Sequence, residues 1–112
     1  MSVGMSFPLQ GLYGSASVTA GTTQTQVGAT ALTGMHNAVT TGNANDGVIL
    51  PSGTNGMFLT VVNLSANALK IYPPVGGALN GGTVNAAVTL TASKNALVVY
   101  SSELNAVTIQ AA

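Results

Sequence analysis

Nowhere in this 112-residue chain do apolar residues recur at a helical period, and turn-forming residues interrupt it every few positions. That pairing constrains the fold more than any other feature. It predicts an all-β domain of short strands joined by tight connections, because Gly and Thr disfavour long helices.

Read from the N-terminus, residues 1–15 form an irregular arm, interrupted by Gly4, Pro8, Gly11 and Gly14. The arm carries Phe7, Leu9, Leu12 and Tyr13 as candidate contacts to a neighbouring subunit. Residues 16–112 then read as a single β domain. "SASVTAG" and "QTQVGATAL" are weak strands, diluted by Ala and Gly. "NAVTTG" follows, then the turn residues Asn45, Asp46 and Gly47, then a strand "GVILP" stopped at Pro51. Asn55-Gly56 is a two-residue hairpin signal. "MFLTVVNL" is apolar on nearly both alternating faces, which predicts burial on both, within a sandwich or against a subunit. In "ALKIYPP", Leu69 and Ile71 point opposite to Lys70 and Tyr72, and the prolines end the strand. The stretch "VGGALNGG" is long enough to cross between sheets in Greek-key fashion before "AAVTLTA", "NALVVYSS" and "NAVTIQA" complete the set. Asn-Ala precedes apolar runs at Asn37, Asn67, Asn85, Asn95 and Asn105, the last three ten residues apart. We read this as shared strand-and-turn geometry. The intervening sequence does not repeat, so no solenoid is expected.

Charge bounds the function. Asp46, Glu103, Lys70 and Lys94 are the only formally charged side chains, 4% of the chain where about a quarter is usual. Formal net charge is zero, so Lys or Arg for neutralising phosphates is scarce and no nucleic-acid partner is expected. A surface this poor in charge predicts cover by other subunits. The chain has no cysteine. The N-terminus lacks the basic and continuous apolar regions of a signal peptide, and no run is long enough to span a membrane as a helix. Neither export by that route nor a membrane partner is expected.

Reactive groups are equally sparse. His36, Asp46 and a serine assemble a triad on paper, but no G-x-S-x-G motif accompanies them, so no catalytic residue and no enzyme activity are expected. "GGALNGG" lacks the Lys-Ser/Thr and the helix of a phosphate cradle and reads as turns. His36, repeated three times about a threefold axis, has the number of ligands that holds Zn²⁺ or Ni²⁺. The simpler reading is a turn or interface histidine with ordinary hydrogen bonds, and no metal or cofactor is expected.

Residues 40–100 carry "GVILP", a strand ending in Asn, "ANALKIYPP", "LNGG" and "NAAVTL". In that order they resemble the small β-rich structural proteins of tailed bacteriophages. The resemblance implies a compact β-sandwich or barrel, jelly-roll or Greek-key-like, commonly a homotrimer, that decorates the capsid or forms part of a fibre. It implies a virion location and binding to the major capsid protein, with no catalytic residues. Met57, Leu59, Tyr72 and Tyr100 join the four arm residues as interface candidates. The alternative function is a head or tail fibre component, an adhesion module for a host glycan or protein that uses Tyr72 or Tyr100 as an aromatic platform.

Overall fold

The computed structural model describes residues 14–110. Among these residues the structure contains strands and turns and no helix. The nine strands are β1 (Ser15–Thr19), β2 (Thr30–Ala31), β3 (His36–Thr40), β4 (Asp46–Ile49), β5 (Phe58–Asn63), β6 (Leu69–Tyr72), β7 (Val88–Leu90), β8 (Asn95–Tyr100) and β9 (Ala106–Gln110). They form two mixed sheets, ordered β1-β3-β5-β8-β9 and β2-β4-β6-β7. Strand β1 starts at Ser15, the last residue assigned to the arm from sequence. The arm contacts Phe7, Leu9, Leu12 and Tyr13 lie outside the described residues.

The path of the chain differs from a jelly roll or Greek key. Odd-numbered strands up to β5 enter the five-stranded sheet, and even-numbered strands up to β6 enter the four-stranded one. Within each sheet these strands run parallel. Greek keys are built from antiparallel neighbours, so that expectation is corrected. The chain instead winds through three coils, each giving one strand to each sheet. Ser15 lies beside His36, 21 residues on, and His36 beside Thr60, a further 24. The last three strands pair antiparallel, with β7 and β8 reversed relative to the coils and β9 returning to the direction of β5. β7 lies antiparallel on β6, β8 on β5, and β9 on β8. Neither sheet closes into a barrel among the described residues.

A single core joins the sheets. Val18, Val39, Leu59, Val61 and Val98 from the larger sheet pack in one buried cluster with Val48, Leu69, Ile71 and Leu90 from the smaller. Its aliphatic character follows from the Val and Leu content. Each side chain this buried contributes roughly 1.5–3 kcal/mol relative to exposure. Two buried asparagines join the turns to this frame. Asn37 donates to the Gly34 and Thr60 carbonyls and accepts from the Gly34 amide. Asn63 donates to the carbonyls of Asn67, Leu90 and Thr91 and accepts from the Ser65 amide and hydroxyl.

The connections explain several differences from the sequence reading. Asn55-Gly56 does form a turn, closed by the Met57 amide on the Thr54 carbonyl at 2.9 Å. Only Gly56 has positive φ, 88°, which is the type II pattern, and the turn leads from one sheet to the other. The sign pattern of a type I′ turn falls instead at Asn80-Gly81, with φ of 55° and 70°. The 73–87 connection joins neighbouring strands of the same sheet, so it does not cross over. It reaches sideways, placing buried Leu79 in a parallel bridge with Ala106 at the start of β9. Asn80 holds this contact by accepting from the Thr108 amide and donating to its hydroxyl. Gly77 permits the approach, since a β-carbon there would overlap the Leu104 carbonyl oxygen.

Candidate functional site: an apolar sheet face

The ionisable side chains are dispersed, and no three His, Cys, Asp or Glu gather into a metal-binding group among the described residues. Asp46 is fully buried and accepts from Gln24 Nε2 at 2.7 Å and from the Asn43 amide at 3.1 Å. His36 is exposed on the other sheet, its Nδ1 2.7 Å from Thr60 Oγ1. The structure thus separates the two residues that a paper triad would join. Lys70 donates to Thr89 Oγ1 at 2.6 Å on the outer face of the smaller sheet. Glu103 is exposed in the β8–β9 turn.

Of the four interface candidates among the described residues, three go to the interior. Met57 and Leu59 are core residues, and Tyr100 is 1% exposed with its hydroxyl donating to the Pro51 carbonyl. Burial drives its phenol well above the usual tyrosine range. These three therefore cannot serve as contact surface in this fold, because packing within the chain already occupies them. Tyr72 is half-buried, lies over Gly47, and donates to the Gln24 carbonyl at 3.0 Å. Neither tyrosine offers the free aromatic platform that the glycan reading requires.

Among the described residues, the outer face of the larger sheet gathers several exposed apolar side chains on one surface. Strand registers place Phe58, Val99 and Val107 in one row across β5, β8 and β9. The next row sets His36, Thr60, Leu97 and Ile109 side by side, and Val62 faces Asn95 in the row after. Phe58 is 47% exposed and Ile109 57% exposed. An open trough of about 360 Å³ runs along the second row, lined by His36, Thr60, Leu97 and Ile109 and ending at Gln110. No formally charged side chain stands on this face. Hydrophobic contact and hydrogen bonds from His36, Thr60, Asn95 and Gln110 are the chemistry it offers.

Among its individual interface candidates, sequence reasoning singled out Met57 and Leu59 rather than Phe58, Val62, Leu97, Val99, Val107 and Ile109. A signal was present. "MFLTVVNL" and "NALVVY" are apolar at both parities, and only the pairing decides which parity faces the core. In β5 the buried set is Leu59, Val61 and Asn63. The expectation that both faces of this strand are covered therefore fails within the single chain, with Phe58 at its exposed end.

Compared with protein-family models, curated proteins and solved structures, the chain matches none.

Proposed function

We propose that the protein is a structural component of a bacteriophage virion. In this reading it is a capsid decoration, or cement, protein that assembles as a homotrimer and binds the major capsid protein. The observation that carries the reading is the uncharged apolar face of the larger sheet, on a chain with only four formally charged side chains. Such a face suits adhesion to other uncharged protein surfaces, since contiguous apolar patches of this kind mark interaction sites. The motif order across residues 40–100 supplies the phage assignment. Two sheets sharing one core support the compact sandwich that the assignment expects. The mechanism is adhesive. Burial of the face contributes roughly 25 cal/mol per Å² before association costs, and many copies on a shell reinforce one another through avidity.

The first measurement is the native mass of the purified chain, for which a trimer is expected. The cement role is tested on particles. Virions lacking the protein should lose infectivity sooner than complete virions on heating or osmotic shock, and equal survival would refute the role.

A further inference from the structure

His36 is the only histidine of the chain, and it lines the apolar trough. It stands exposed on β3, in the row that also holds Ser15, Thr60, Leu97 and Ile109. Histidine is the side chain that ordinarily changes charge between about pH 5 and about pH 8. Around it β1 presents Ser15 and Ser17, β5 presents Thr60 and Val62, and β8 presents Asn95 and Leu97, none of them ionisable. Lys94 stands one position before Asn95, in the turn that enters β8, and has the same sign of charge as a protonated imidazole. Glu103 lies in the turn beyond the other end of β8, and Asp46 and Lys70 belong to the smaller sheet. Among the described residues, therefore, no carboxylate stands on this face to partner a charged His36.

The ring is held in a way that serves both charge states. Thr60 Oγ1 lies 3.4 Å from the Met35 carbonyl, which takes its one hydroxyl hydrogen, and 2.7 Å from His36 Nδ1, which is then the donor. Nε2 is left to take up a proton. Because Nδ1 donates in the neutral and the charged ring alike, protonation changes the charge of the face and leaves its bonding intact. We propose that His36 makes the apolar face a pH-sensitive adhesive, in which the neutral ring permits burial against an uncharged surface and the imidazolium releases it. The cause is desolvation, since a charge taken out of water without a partner is costly. The contact is thus complete at the alkaline end of the histidine range and lost as pH falls through it. This inference rests on the adhesive reading of the face and names the condition that controls it.

The test uses an uncharged phenyl matrix as the apolar surface and reads the retention of the full chain at fixed salt, at about pH 8 and about pH 5. Wild type is compared with His36→Gln, which takes up no proton, with His36→Lys, and with Leu97→Ser. The readout at His36 is the ratio of the two retentions within each protein, so a change in absolute retention does not enter it. Wild type should be held about threefold or more weakly at the lower pH, His36→Gln should lose most of that dependence, and His36→Lys should be held weakly at both. Equal dependence in wild type and His36→Gln, or wild-type retention that does not fall, would overturn the proposal. So would a wild-type circular dichroism spectrum that changes between the two pH values, because the effect would then lie in the fold. Leu97→Ser addresses the underlying reading and should lower retention at the higher pH. If it does not, the adhesive reading and the proposal fall together; if it does while the His36 comparison fails, only the pH control falls.

Discussion

The two sheets share one core yet present opposite outer faces. On the smaller sheet, Lys70 reaches across to Thr89, and Tyr72 lies over Gly47 with its hydroxyl held by the loop at Gln24. That face is polar, and a loop of the same chain covers part of it. On the larger sheet, Phe58, Val62, Leu97, Val99, Val107 and Ile109 stand together with no charge among them. A chain low in charge throughout would be apolar everywhere if composition alone set its surface. Phe58, Leu97, Val107 and Ile109 share this one face, whereas the other exposed large hydrophobics among the described residues, Val27, Leu64, Val75 and Val84, are scattered over connections. The adhesive reading rests on that asymmetry.

Neighbouring residues on β5 give the largest test of it. Leu59→Ala, in the core, should lower unfolding free energy by about 2–5 kcal/mol. Phe58→Ala, one residue earlier on the outer face, should cost less than about 1 kcal/mol. Urea denaturation of both variants checks this, and equal losses would mean the outer face is packed rather than bare. On the smaller sheet, a β-carbon at Gly47 would stand 2.7 Å from the Tyr72 ring. Gly47→Ala should therefore push the ring aside and destabilise by about 1–2 kcal/mol. If the midpoint in urea is unchanged, Tyr72 is not fixed and the contrast between the faces weakens.

Tyr100 gives a smaller, pH-dependent effect. Its folded-state pKa is raised above the unfolded value of 10.0 by burial. Protonation is favoured in the folded state, so this contribution is intact below pH 10 and is lost as pH rises beyond it. Thermal melts between pH 9 and about 11 should show a decline that Tyr100→Phe reduces. An identical decline in the variant would locate the alkaline sensitivity elsewhere.

Local features of the fold were readable in the sequence where one residue type settles the geometry. The alternation in Leu69–Tyr72 is buried at Leu69 and Ile71 as expected. The turn before β4 uses Asn45 at φ 69°, while Asp46 and Gly47, read with it as turn residues, open β4 instead. Asn95 opens β8 and Asn105 immediately precedes β9, in keeping with strand-and-turn spacing. Asn85, by contrast, sits in the long connection with φ 67°, where its side chain accepts from the Gly76 amide. The segment "QTQVGATAL" yields only the short β2, because residues before it form turns and Val27 is 96% exposed. The winding was not legible. Parallel pairing joins residues 18 to 24 positions apart, as Thr30 with Val48 and His36 with Thr60, and no recurring residue marks those intervals. The apolar face was half legible. The two-sided strands were visible, but the side turned outward depends on partners far away in sequence.

The reversal at the end of the winding also limits how such a molecule could vary in size. Strands β7 and β8 occupy the open side of the third coil, so growth beyond it is sealed. Additional coils fit only ahead of β1 or between existing ones. Each would lengthen the stack by about 4.8 Å and leave the closing strands unchanged. The architecture is therefore adjustable in fixed steps of roughly two dozen residues, with the same reversal terminating a short version or a long one.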